Sequence, residues 1–183
     1  MLFRSRRLEA RFCIPMLKRN DIRWRFDLAG GALMDTGCYT VHLLRHLAEA
    51  EPEVVSAQAV WTRGGVDRWL TADLRFPGDR DARLTCALLS SVPLRISAQV
   101  TGSAGTLRVF NPIAPQFFHR LRIETPTGRR VEHVKGAPSY DEQLRAFIGA
   151  VRRGEPVPTD PPDSVANMRV IAAIYAATGR PRG

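Results

Sequence analysis

The chain has 183 residues, 44% of them hydrophobic and 25% charged, enough for one domain with a core and too few for two full-sized ones. This composition excludes a disordered chain, and no apolar run approaches the roughly 18 residues of a membrane span. The net charge of +9 raises the question of nucleic acid, but the arginines come in scattered pairs such as Arg6 and Arg7 or Arg152 and Arg153, with no nucleic-acid motif beside them. No nucleic-acid partner is therefore expected. Cys13, Cys38 and Cys86 lie outside any metal-ligand spacing, and no apolar segment follows the basic start. The expectation is a cytoplasmic protein with reduced thiols, no secretory signal, no membrane association and no bound metal.

Residues 1–7 read as a ragged beginning and residues 8–14 as a strand ended by Pro15. A polar connection with Arg23 and Trp24 leads to Gly30 and Gly31, a permissive turn, and then to a helix running to Ala48. At about 100° per residue Leu33, Gly37, Val41, Leu44, Leu47 and Ala48 form one side of that helix, and Asp35, Tyr39, His42 and His46 cluster on the other. Asp35 falls in its first turn, where the helix dipole favours a carboxylate, and Gly37 would let the helix lie close on a sheet. From residue 54 the period changes to two. Val55, Ala57, Ala59 and Trp61 alternate with polar neighbours, then Leu70, Ala72, Leu74 and Phe76, then Leu84, Cys86 and Leu88. After Pro93 come Leu94, Ile96, Ala98 and Val100, a turn at residues 101–105, and further strands near residues 107–109, 117–124 and 130–134. Ser139 and Glu142 make a capping box for a helix with Leu144, Phe147, Ile148 and Val151 on one side, and Asp163 is expected to cap a last helix packed through Val170, Ile171, Ile174 and Tyr175. The predicted architecture is α+β in a single domain of residues 1–183, a large, mostly antiparallel open sheet with helices on one face. The other face, carrying Trp61 or Val60, is left for a partner.

No dinucleotide fingerprint occurs in this chain: Gly102 and Gly105 sit between two strands, where a hairpin turn explains them, so no Rossmann domain is expected. Chemistry is left to the polar side of the first helix. Asp35 and Tyr39, four residues apart, can bond the same small molecule, and a tyrosine can relay a proton when a nearby cation lowers its pKa. The same pattern also suits a solvated or structurally bonded face. His42 and His46 have no Cys or carboxylate at zinc-site spacing, and nothing nearby in the sequence activates Cys38 as a nucleophile.

Gly30, Gly31, Ala32, Leu33, Met34, Asp35, Thr36, Gly37, Cys38 and Tyr39, with Asp21, Ile22, Arg23 and Trp24 upstream, resemble the start of the C-terminal domain of the Gfo/Idh/MocA oxidoreductases. The likeness continues through residues 101–107, 139–147 and 167–175. It implies a substrate-binding, oligomerising domain with an open sheet, and active-site roles for Asp35 and for Tyr39, in the branch with glucose-fructose oxidoreductase and dihydrodiol dehydrogenase. Arg23 and Trp24 upstream and His42 on the polar side of the helix are candidate substrate contacts, and by the likeness a sugar, polyol or dihydrodiol is the implied substrate. The family's NAD- or NADP-binding Rossmann half, with its Glu-Lys-Pro lysine, has no counterpart in these residues, whose only lysines are Lys18 and Lys135. Ala172 also stands where the family pattern has an Asp. The resemblance therefore implies half of an oxidoreductase, inactive and without cofactor by itself; the alternative is a stand-alone, non-catalytic oligomeric module that binds a polyol or a protein.

Overall fold

The structure, a computed structural model, describes residues 5–92 and 94–180. Residues 1–4 of the expected ragged beginning, and Pro93, lie outside the described residues. Ser5 already belongs to the first strand, β1 (Ser5–Cys13), so residues 5–7 are paired rather than ragged. Two short 3₁₀ turns and a π-helical turn (Leu33–Gly37) lead into α1 (Cys38–Ala48). There follow β2 (Glu53–Trp61), β3 (Asp67–Phe76), β4 (Arg80–Ala87), β5 (Arg95–Gly102), β6 (Gly105–Phe110), β7 (Arg120–Thr125) and β8 (Gly128–Glu132), then α2 (Ser139–Arg153) and α3 (Pro161–Ala177).

All eight strands form one open sheet in the order β2-β3-β4-β1-β5-β6-β7-β8. Only β1 and β4 run parallel; the other pairs are antiparallel. Leu8 and Ala10 of β1, Leu70, Ala72, Leu74 and Phe76 of β3, and Ala82, Leu84 and Cys86 of β4 point to one side and are buried. There they meet Leu33, Val41 and Leu44 from the first helix and Val170, Ile171, Ile174 and Tyr175 from α3. Gly37 makes this approach possible: a Cβ there would stand 2.7 Å from Leu33 Cδ1 and 3.0 Å from Cys86 Sγ. No helix among the described residues is long and apolar enough to cross a membrane.

Four local expectations change and one left open is resolved. A bulge between Val54 and Ser56 turns Val54, not Val55, toward Leu74, and leaves Val55 exposed. Trp61 faces the helices, its ring 6.1 Å from that of Tyr175 and beneath the Arg180 guanidinium, while Val60 takes the open face. The last helix is capped by Asp160, whose carboxylate accepts the Asp163 N–H, because Pro161 and Pro162 fit the first turn, where amide hydrogens have no helical partner. Asp163 is released for other bonds. Ser139 makes no cap; its hydroxyl donates to Ile113 O and Gln116 Oε1, and α2 starts after Pro138. The apolar row of α2 differs more: Leu144, Phe147, Ile148 and Val151 are each more than a third exposed.

Candidate active site

The site is built on the turn between the glycines and α1. Gly31 has φ +136°, and a Cβ there would fall 2.2 Å from Asp67 Oδ1, so only glycine fits between the loop and that carboxylate. Asp67, at the start of β3, is fully buried; it accepts the Leu33 N–H at 2.8 Å and the Tyr175 O–H at 2.8 Å. Sequence reading missed it, because an Asp after Gly64, Gly65 and Val66 looks like turn chemistry. From Leu33 the backbone makes a π turn, an irregularity frequent at functional sites. The Asp35 N–H donates to Gly31 O at 2.9 Å, and the hydroxyls of Thr36 and Thr40 return to the carbonyls of Ala32 and Gly37.

Asp35 and Arg23 meet here. Arg23 Nε donates to Asp35 Oδ2 at 2.8 Å, and its Nη1 to Asp21 Oδ1 at 3.1 Å. Asp21 in turn accepts the Arg23 N–H at 3.0 Å and caps the 3₁₀ turn Ile22–Trp24, so loop and guanidinium are fixed by the same carboxylate. Tyr39, 49% exposed, rests edge-on against Phe12 of β1, ring centroids 5.7 Å apart. Partial burial pushes its phenol above the usual range, with Cys38, Tyr140 and Asp35 adding to the shift and Arg23 opposing it. Tyr39 is thus within electrostatic reach of Arg23 and Asp35, and of Tyr140 at the start of α2.

The other two candidates lie differently. Trp24 packs against the core, and its indole N–H is buried without a hydrogen-bond partner among the described residues. His42 belongs to a second cluster, its Nδ1 3.3 Å from Asp163 Oδ2 and its ring stacked on His46. Arg45, only 7% exposed at its side chain, binds Asp163 Oδ1 at 2.9 Å and grips Glu51 with two nitrogens at 2.7 and 2.8 Å. That network joins α1 to the start of α3, and Asn167 Nδ2 donates to Cys38 O at 3.2 Å beside it. The polar side read as one face is thus divided between Arg23 and Asp163.

Cys38 donates its thiol hydrogen to Asp35 O at 3.4 Å, and burial raises its pKa to about 11. At pH 8 only about one such thiol in a thousand is ionised. Alkylation of Cys38 by iodoacetamide, followed by peptide mass mapping, is therefore expected to be far slower than in urea. Equal rates in the two conditions would contradict the geometry.

A nicotinamide dinucleotide needs a strand, a tight glycine turn and a helix start whose amides hold the pyrophosphate. Residues 102–105 do not supply it: Gly102 and Gly105 pair with each other in the antiparallel hairpin of β5 and β6. Residues 102–105 are thus a hairpin turn and not a dinucleotide cradle.

Residues 4–108 match the GFO/IDH/MocA C-terminal domain. The chain is 34% identical over 164 residues to D-xylose 1-dehydrogenase (NADP(+)) 2 of Haloferax volcanii, covering 87% of this chain and 50% of that protein. It is 35% identical over 153 residues to dTDP-3,4-didehydro-2,6-dideoxy-alpha-D-glucose 3-reductase of Streptomyces violaceoruber, covering 81% and 44%. Among solved structures, KijD10, a 3-ketoreductase from Actinomadura kijaniata in complex with NADP and TDP-benzene, superposes with a TM-score of 0.85 at 25% identity, over 94% of this chain and 54% of the other. The chain thus spans about half the length of the relatives it matches. With its open sheet, its π turn carrying Asp35 and this match over more than half its length, the chain belongs to the GFO/IDH/MocA family and carries the C-terminal domain.

Proposed function

We propose that this chain is the substrate-binding and oligomerising half of an NAD(P)-dependent oxidoreductase acting on a sugar, polyol or dihydrodiol. The observation that carries the reading is the contact of Arg23 with Asp35 at an accessible edge of the helix layer, with the half-exposed Tyr39 four residues further on. Arg23 holds the Asp35 carboxylate in one orientation, able to accept a bond from a substrate hydroxyl through its second oxygen. The Tyr39 hydroxyl holds the proton exchanged with the substrate oxygen. Trp24 serves as an apolar wall beneath the site, and His42, turned to Asp163, stays outside this constellation.

Two surfaces support a larger assembly. Leu144, Phe147 and Val151 of α2 are exposed on a helix that begins beside the site, which suits contact with a nucleotide-binding half. On the open sheet face, the exposed Val60 of β2 lies beside Trp69 of β3, and this apolar patch suits self-association.

The test is a fusion in which the nucleotide-binding half of the xylose dehydrogenase relative precedes β1. NADPH fluorescence and turnover of aldoses, polyols and dihydrodiols are then measured for the fusion and for the 183-residue chain. Cofactor binding and activity are expected in the fusion only. Micromolar NADPH binding by the chain alone, or a fusion that holds NADPH and acts on none of these substrates, would sink the reading and favour the non-catalytic module.

A further inference from the structure

Tyr39 makes no hydrogen bond among the described residues, and its ring meets that of Phe12 edge-on at 5.7 Å. Where the phenol stands is therefore set largely by the backbone it leaves. The peptide unit joining Cys38 to Tyr39 is planar, so a group that holds the Cys38 carbonyl also orients the plane from which the tyrosine departs. That carbonyl is held from α3, where Asn167 Nδ2 donates to Cys38 O at 3.2 Å across 129 positions of sequence.

Asn167 is fixed in turn, because Arg45 Nη1 donates to its Oδ1 at 3.4 Å. The guanidinium can only donate and the carbonyl can only accept, so the two partners decide which way the amide points. Arg45 is buried and anchored by Glu51 at 2.7 Å and Asp163 at 2.9 Å. Asp163 and Asn167 lie one turn apart on α3, and Cys38, His42 and Arg45 form the stripe of α1 that meets them. A line of contacts thus runs from Glu51 through Arg45 and Asn167 to the carbonyl that precedes Tyr39.

Seating the two helices does not require this line. Val170, Ile171, Ile174 and Tyr175 already bury α3 in the core, and Gly37 lets the start of α1 press against Cys86. Apolar contact has no direction and leaves the register of one helix along the other loosely set. A hydrogen bond from one side chain to one carbonyl sets it. Register matters at this point, since the π turn Leu33–Gly37 ends at the residue before Cys38, with Asp35 on the turn and Tyr39 on α1. A slide or rotation of the first turn of α1 would move the phenol relative to Asp35 and its partner Arg23. We propose that Asn167 is a positioning residue for Tyr39, fixing the phenol relative to Asp35 through the Cys38 carbonyl. The use made of Tyr39 in proton exchange is taken from the oxidoreductase reading, on which this proposal rests.

The 183-residue chain and its Asn167→Asp and Asn167→Ala variants, with ¹³C-labelled tyrosine rings observed by NMR, test the placement. The chain has three tyrosines, Tyr39, Tyr140 and Tyr175, so the ring signals can be assigned one by one. Asp keeps the size of the side chain and the acceptor for Arg45, but turns an oxygen in place of an amide donor toward the Cys38 carbonyl. The Tyr39 signals are expected to move in both variants, while those of Tyr175, two turns further along α3, stay in place and circular dichroism is unchanged. Met168→Ala, at the exposed neighbour, should move neither. In the fusion with a nucleotide-binding half, Asn167→Asp is expected to lower kcat by about 10- to 100-fold with little change in KM. Tyr39 signals that stay in place in Asn167→Asp overturn the proposal, as do Tyr175 signals that move with them, which would mean a general loosening of α3, or an active fusion whose kcat ignores the substitution. A parent fusion that holds NADPH without turnover sinks the oxidoreductase reading and the proposal together, whereas unmoved Tyr39 signals sink the proposal alone.

Discussion

Asp67→Ala is expected to cost about 3–5 kcal/mol of folding free energy, a large share of the roughly 5–15 kcal/mol that holds a typical domain together. The carboxylate sits at zero exposure and accepts from two groups that have been taken out of water, the Leu33 N–H and the Tyr175 hydroxyl. Alanine would take this acceptor from both buried donors and open a void beneath Gly31, whose backbone conformation is shaped around the Asp67 oxygen. Asn in its place retains one carbonyl acceptor but turns an amide N–H₂ toward the other donor, so Asp67→Asn should lose less, about 1–3 kcal/mol. Urea denaturation followed by circular dichroism measures both. Amide exchange at Leu33 through Gly37 should rise in Asp67→Asn before global unfolding does, because this side chain fastens the π turn to β3 and α3. A change under about 1 kcal/mol in Asp67→Ala would show that the turn is held by other contacts.

The parts of the fold legible in the sequence are those governed by simple periods. Leu70, Ala72, Leu74 and Phe76 alternate without interruption and face the core as read, and Val170, Ile171, Ile174 and Tyr175 are buried at helical spacing. Where one extra residue is inserted, the period misleads. The bulge in β2 exchanged the roles of Val54 and Val55, and the π turn rotates Asp35 relative to Tyr39, His42 and His46 of α1, which a uniform helix would show with it on one face. The open face was read as apolar, yet beyond Val60 and Trp69 it is covered with ion pairs among Arg7, Glu9, Arg11, Asp73, Arg75, Asp81 and Arg83. Alternation tells which side a residue takes, not what it meets there. The pairing of Arg23 with Asp35, the burial of Asp67 and the clasp of Arg45 on Asp163 all join residues distant in sequence, and no local pattern announces them. Asp163 shows how this happens: two adjacent prolines moved the cap to Asp160 and released the later carboxylate for α1.

In the active fusion, Tyr39→Phe is expected to lower kcat by about 10²- to 10⁴-fold while KM and thermal stability change little. The substitution removes only a hydroxyl that is half exposed and makes no hydrogen bond among the described residues, and the ring contact with Phe12 is kept. In this chain burial holds the phenol above its ordinary pKa, so the neutral form prevails at physiological pH. That form can give a proton to a carbonyl oxygen, but it is a poor acceptor from an alcohol. A lysine brought by the nucleotide-binding half would add its charge to that of Arg23 and lower the phenol toward neutrality. The two directions of reaction should then respond oppositely to pH. Alcohol oxidation needs the deprotonated phenol and should accelerate as pH rises through its pKa, whereas carbonyl reduction needs the protonated phenol and should slow over the same range. Both limbs should vanish in Tyr39→Phe, a loss that a merely structural role would not produce. A fusion indifferent to Tyr39→Phe but disabled by His42→Ala would instead place the proton with the histidine that Asp163 holds, and would move the reacting centre one helical turn along α1.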